Sequence, residues 1–125
     1  MENTIVINGV ELEFNIYDLD CAEKYEDAVA LVEKEANEYK SSSKKISDVI
    51  RKQCQSVFNF FDDVFGEGTS EEIFGERTNL IECLNAFRTV TSTIKKQFEE
   101  INPILEEVKK EKLNRKQRRS KRNSK

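Results

Sequence analysis

The chain has 125 residues, of which 37% are apolar and 36% are charged, and its formal net charge is −3. That length allows one domain with a modest core. The chain contains no histidine, so it lacks the usual general base near neutral pH and the commonest metal ligand. The sequence therefore argues against an enzyme, and it predicts no cofactor and no metal site.

The N-terminus and the cysteines indicate the compartment. Met1-Glu2-Asn3 shows no signal sequence, and no run approaches the ~20 apolar residues of a membrane span. The odd number of cysteines, without a CxxC pair, favours reduced thiols in or beside a core: Cys21, Cys54 and Cys83. We therefore expect an intracellular protein without a membrane contact.

Residues 4–14 read as a β-hairpin. Asn8-Gly9 is the preferred pair for a two-residue type I′ turn. This turn places Ile7 opposite Val10 and Ile5 opposite Leu12, which gives the hairpin one apolar face. A lone hairpin is marginal in water, so we expect this face to pack on helices or on another chain.

Two helices are predicted next, over about 20–40 and 43–65. Asp20 and Glu23 give a capping signal for the first helix. The second carries a wide apolar stripe and ends at Gly66, which is placed as a C-terminal cap. Thr69 then opens a capping box for a short helix over 69–74.

The segment from Phe58 to Gly75 contains five phenylalanines, more than one helix face needs. We hypothesise that Phe60, Phe65 and Phe74 help to line a hydrophobic groove for a protein partner. The pair Asp62-Asp63 is expected on a solvated face, because adjacent residues diverge on a helix.

A long helix over 79–108 is the strongest signal. Its apolar residues alternate spacings of four and three, as in a heptad seam: Leu80, Leu84, Phe87, Thr91, Ile94, Phe98, Ile101, Leu105 and Val108. Pro103 predicts a kink or restart near Asn102. The seam fits either packing within the chain or contact with another chain, including a second copy, and Leu84, Phe87 and Phe98 are candidate partner-binding residues.

The charges divide near Lys109. Residues 109–125 hold ten basic residues against one acidic residue, a charge of +9, and residues 1–108 hold −12. Such a tail fits contact with nucleic acid, contact with an acidic protein surface, or a role in solubility alone. The candidate contact residues are Arg115, Lys116, Arg118, Arg119, Lys121 and Arg122.

Together these elements predict a mainly α fold. An N-terminal hairpin packs on a three-helix bundle with a long C-terminal helix, which makes a body over 1–108. A basic, flexible tail over 109–125 follows.

Four segments carry a resemblance to a known group of proteins: Ile5–Gly9, Tyr17–Ala28, Phe60–Gly75 and Asn79–Phe87. In these the chain resembles small phage and prophage proteins of Gram-positive bacteria, which are similar to tail assembly chaperones. The resemblance implies a non-enzymatic protein in the host cytoplasm that coats the tape measure protein until the tail tube polymerises. It supplies no functional residues.

Three other functions remain open from the sequence. The basic tail fits a nucleic-acid-associated accessory protein. The hairpin edge or the long helix fits a structural virion component. The acidic helical body fits an anti-defence protein that binds a host protein.

Overall fold

The computed structural model describes residues 4–42 and 45–110. Within these ranges a two-stranded antiparallel hairpin precedes the helices: β1 (Thr4–Ile7), β2 (Val10–Glu13), α1 (Leu19–Ser42), α2 (Ile46–Phe65), α3 (Thr69–Phe74) and α4 (Leu80–Glu99). The backbone is helical again over 102–110. The prediction of a mainly α fold with an N-terminal hairpin and a long C-terminal helix is confirmed.

The hairpin turn has the predicted geometry. Asn8 and Gly9 have φ angles of 51° and 79°, as the two central positions of a type I′ turn require. The Asn8 side-chain amide also donates a hydrogen bond of 3.3 Å to the Ile73 carbonyl of α3. The turn is therefore tied to a helix more than sixty residues later in the sequence.

The apolar face of the hairpin packs on the helices. Ile7 pairs with Val10, and Ile5 pairs with Leu12, which is the predicted register. Ile5, Ile7 and Leu12 are buried and Val10 is half-buried. Val6 on the opposite face is 58% exposed. Packing on the helices gives this short hairpin the stability that it lacks alone.

The observed cap of helix α1 lies two residues before the predicted cap. Asp18 accepts a hydrogen bond of 3.2 Å from the Cys21 backbone N–H, and α1 starts at Leu19. A turn in which the Asp18 N–H donates to the Asn15 carbonyl places Asp18 at the cap. The prediction of Asp20 as the cap was therefore wrong.

Helix α2 ends where the sequence predicts. Its last residue is Phe65, and the Gly66 N–H donates to the Asp62 carbonyl with a φ of 117° at Gly66. The helix starts at Ile46, after an extended Lys45, and not at residue 43. Glycine is suited to this cap because its φ lies in a region that side chains rarely adopt.

Helix α3 has the predicted bounds, but its cap is different. Gly68 occupies the cap position without a side-chain hydrogen bond, and the Thr69 hydroxyl donates to the Gly66 carbonyl. Asp62 of α2 instead accepts hydrogen bonds from the Ser70 N–H at 2.9 Å and the Ser70 hydroxyl at 3.0 Å. The capping-box prediction at Thr69 was wrong, and so was the solvated assignment of Asp62, because the tight turn brings Asp62 to the start of α3.

The core forms where α2 meets α1, α3 and α4, and the apolar face of the hairpin packs against it. Ring contacts run through it, with Phe60 at their centre. The ring of Phe60 lies 5.4 Å from Phe61, 4.9 Å from Phe87 and 6.1 Å from Tyr25. Two thiols also lie in this core, since Cys54 and Cys83 are each 0% exposed, as predicted for core cysteines.

The buried side of α4 differs from the predicted seam. Its buried residues are Cys83, Ala86, Val90 and Ile94, whereas the seam residues Leu84 and Phe98 are exposed. Small side chains such as Cys83 and Ala86 let α4 pack closely on α2, and the larger leucine is left at the edge. The buried residues of α4 therefore form a different stripe from the predicted heptad seam, and of these four only Ile94 belongs to both.

The predicted interruption near Asn102 is present. Glu100 and Ile101 form a turn in which the Ile101 N–H donates to the Phe98 carbonyl. The helix resumes over 102–110, so Pro103 lies in the first turn of the resumed helix, where its missing N–H costs little.

Candidate protein-binding surface

The resumed helix over 102–110 projects an apolar face into solvent. Ile101, Ile104, Leu105 and Val108 have the spacing i, i+3, i+4 and i+7, which places them on one side of a helix. Ile104, Leu105 and Val108 are 48%, 46% and 47% exposed. We call these four residues the distal apolar face.

The helix that carries the distal apolar face gains little stability from the rest of the chain. A helix as short as 102–110 is marginal in water without packing, because nucleation is costly. Every residue from 102 to 110 is exposed, so the body stabilises this helix little. Burying a leucine or isoleucine side chain fully contributes about 1.5–3 kcal/mol. A partner that covered the distal apolar face would gain a substantial part of that for each side chain.

An apolar cleft lies beside the start of the projecting helix, between α1 and α4. It has a volume of about 320 Å³ and is lined by Ile16, Ala22, Tyr25, Glu26, Ile94, Lys95 and Phe98. We call it the α1–α4 cleft. The cleft adjoins the distal apolar face, because Phe98 in its wall is only three residues before Ile101.

Tyr17 fixes the position of Phe98 at the cleft. The two rings stack with their centroids 6.0 Å apart and their planes at 29°. The Tyr17 hydroxyl donates to the backbone carbonyl of Gln97. These contacts anchor the end of α4 to the segment before α1 and leave Phe98 50% exposed.

Each of the two surfaces has one negative and one positive side chain beside it. Glu26 and Lys95 line opposite walls of the cleft, on α1 and α4. Glu107 and Lys109 lie on opposite flanks of the distal apolar face, as their positions on the helix require. Burial raises the pKa of Tyr25, with a smaller contribution from Glu26, so its phenol stays neutral in the cleft at neutral pH.

Two of the predicted partner residues are core residues instead. Phe60 and Phe74 are each 1% exposed, so neither can line a surface groove, and that part of the hypothesis was wrong. The turn at Gly66 folds α3 back onto α2 and encloses Phe74, whose ring lies 5.7 Å from Phe61. The excess of phenylalanine serves the core.

The other predicted partner residues divide into two groups. Phe65 and Phe87 are half-buried and contact Phe14 and Phe60 through ring edges. Leu84 and Phe98 are exposed, but only Phe98 lies beside the distal apolar face. The structure therefore brings Phe98 into a candidate site and leaves Leu84 apart from it.

Sequence reasoning missed part of this surface. Ile104 lies outside the heptad seam, although its spacing from Ile101 and Val108 was a readable signal. Ile16 and Tyr25 gave no such signal, because the fold alone brings them to Phe98. The tail residues predicted to contact nucleic acid or acidic surfaces, including Arg115 and Arg122, lie outside the described residues.

Outside this surface, the described residues include two buried thiols. Burial raises the pKa of the Cys83 thiol to about 12, with a further contribution from the Cys54 thiol beside it. The thiol therefore stays protonated at neutral pH. Across residues 4–42 and 45–110, no group of three or more His, Cys, Asp or Glu side chains is placed to hold a metal ion. No helix in the same ranges has the length and hydropathy to cross a membrane.

The fold and this surface define a small mainly α domain with an N-terminal hairpin and an exposed amphipathic helix. The chain belongs to DUF6673, a family of unknown function, whose match covers residues 8–122. No curated protein and no solved structure matches the chain significantly.

Proposed function

We propose that this protein is a non-enzymatic phage tail assembly chaperone, which binds helical segments of a tape measure protein in the host cytoplasm. The observation that carries the proposal is the distal apolar face, which is exposed on a projecting helix. Exposed apolar patches of this kind mark sites of protein interaction. The resemblance to phage proteins in the hairpin, the first helix and the Phe-rich turn supports the choice of partner.

The chemistry of the surface suits a long helical client. An amphipathic client helix offers apolar side chains at i, i+3, i+4 and i+7, and it packs against a matching face or groove. Burying Leu105 and Ile104 against such a helix contributes to binding without requiring one particular client sequence. The −12 charge of residues 1–108 keeps such a complex soluble.

Co-expression with the tape measure protein of the same genome tests the proposal. We expect the chain to increase the soluble fraction of the tape measure and to co-purify with it. Leu105→Glu should abolish both effects, because it places a charge in the apolar contact. Ile81→Glu is the matched control, since Ile81 is 65% exposed at the other end of α4, roughly 25 Å from Phe98.

Two results would contradict the proposal. Equal loss of client solubility in the two variants would show that the distal apolar face has no special role. A stoichiometric amount of the protein in purified virions would indicate a structural component, because a chaperone is released when the tail tube assembles.

A second candidate function rests on the tail. Residues 109–125 carry +9, which favours an accessory protein that binds nucleic acid through phosphate contacts. Such binding falls steeply with salt. Retention on immobilised duplex DNA should then weaken strongly between low and raised salt and disappear when 109–125 is deleted. Retention that survives the deletion would exclude the tail as the contact.

A further inference from the structure

We infer that two copies of this chain form a dimer by exchanging their projecting helices. The distal apolar face of each copy occupies the α1–α4 cleft of the other. This inference goes beyond the proposed function and does not rest on it, and a second copy and a helical client would compete for the distal apolar face. Its basis is that one chain carries both an unpartnered apolar helix face and an apolar cleft of about 320 Å³.

Residues 4–42 and 45–110 leave the α1–α4 cleft open. The projecting helix follows α4 after a turn of two residues, Glu100 and Ile101. It runs away from the body with residues 102–110 all exposed. Phe98 lines the cleft and is stacked on Tyr17, and the segment after it leaves the body as an exposed helix. A second copy of the chain can supply the occupant, because it carries the same projecting helix.

The charges support a second copy as the occupant. The cleft carries one negative and one positive side chain, Glu26 and Lys95, on opposite walls. The incoming helix carries Lys109 and Glu107 on opposite flanks of its apolar face. In the inferred dimer Lys109 pairs with Glu26 and Glu107 pairs with Lys95. The helix therefore matches the cleft in apolar character and in the sign of both flanking charges.

Symmetry strengthens the association. In a two-fold dimer each contact occurs twice, since each copy gives a helix and receives one. The side chains that gain contacts are those left half-exposed in the single chain, from Phe98 to Val108. The projecting helix, too short to be stable alone, becomes ordered by the same contact.

Sedimentation equilibrium of the purified full chain tests the inference. We expect the wild type to be a dimer at micromolar concentration. Leu105→Glu should weaken association by at least about 100-fold, because a charge replaces a leucine in the contact. Ile81→Glu should remain dimeric, since it changes an equally exposed apolar residue away from the cleft. Helix content by circular dichroism should show that both variants are folded.

A charge exchange identifies the cleft as the receiving surface. Lys109→Glu should weaken the dimer about threefold to tenfold, because it faces Glu26 with a like charge. Adding Glu26→Lys to the same chain should restore the wild-type affinity, since the pair is then reversed in sign.

A wild-type monomer across this concentration range would overturn the inference, as would equal effects of Leu105→Glu and Ile81→Glu. Failure of Glu26→Lys to restore association would overturn the assignment of the cleft. These measurements use the isolated protein. A dimer that fails to solubilise the tape measure therefore contradicts only the proposed function, and a monomer that does solubilise it contradicts only the dimer.

Discussion

Phenylalanine-to-alanine substitution at two positions distinguishes the core from the binding surface. Phe60 is 1% exposed and contacts three other aromatic rings. Phe98 is 50% exposed and stacks on Tyr17. The same chemical change therefore removes a fully packed side chain at one site and a half-packed side chain at the other.

The expected magnitudes are well separated. Truncating a buried phenylalanine to alanine costs about 3–5 kcal/mol, since the cavity adds to the lost transfer free energy. For Phe60→Ala, with a urea m-value of about 1.5 kcal/mol/M, the midpoint of unfolding falls by roughly 2–3 M. Phe98→Ala loses about half of a side-chain burial, about 1 kcal/mol, and the midpoint falls by less than about 1 M.

Urea titration followed by far-ultraviolet circular dichroism measures both shifts, because the chain has no tryptophan for fluorescence. Phe60→Leu serves as a milder variant if Phe60→Ala does not fold. Its midpoint should lie below that of the wild type, and an unchanged midpoint would contradict the burial of Phe60. A normal midpoint for Phe60→Ala, or a larger loss for Phe98→Ala, would refute the assignment of Phe60 to the core. It would also restore Phe60 as a surface candidate.

Three further predictions follow from the hydrogen bonds and thiols of the body. Asp62→Ala should destabilise the protein by about 1 kcal/mol, because Asp62 accepts two hydrogen bonds from the start of α3; the exposed control Asp63→Ala should cost less than about 0.5 kcal/mol in the same urea titration. Iodoacetamide should label the half-exposed Cys21 in the native protein and reach the buried Cys54 and Cys83 only in urea, and rapid native labelling of all three would contradict their burial. The raised pKa of Cys83, about 12, favours the thiol in the folded state, so its contribution to stability is complete below the unfolded pKa of about 8.5 and is lost as the pH rises above it. Above a pH of about 8.5, the free energy of unfolding should then fall by at most about 1.4 kcal/mol per pH unit because of Cys83. The urea midpoint, measured below and above a pH of about 8.5, should fall less in Cys83→Ala than in the wild type.

The local elements could be predicted because their signals are local. Asn8-Gly9 sets the turn type, and the turn type sets the strand register, so the pairs Ile7–Val10 and Ile5–Leu12 followed from the sequence. Gly66 ends α2 because its conformation excludes a helical continuation. The break before Pro103 has a similarly local cause, the missing backbone donor.

The caps of α1 and α3 were mispredicted because each depends on a neighbouring turn. Asp20 and Thr69 fit capping patterns along the chain, but the backbone before α1 places Asp18 at the cap. At α3, the carboxylate of Asp62 reaches across from the preceding helix. A pattern in one helix does not reveal a donor or acceptor that folding brings from another.

The sequence by itself determined the class of fold, the hairpin and the division of charge near Lys109. It did not determine which side of each helix faces inward when apolar residues cover more than one side. On α2 and α3 the turn at Gly66 carries Phe60 and Phe74 into the core, and on α4 small side chains bring Cys83 and Ala86 against α2. Only the tertiary structure shows that Phe98 and the distal apolar face are exposed. Burial depends on which helix faces pack together, and a periodic sequence can have more than one apolar face.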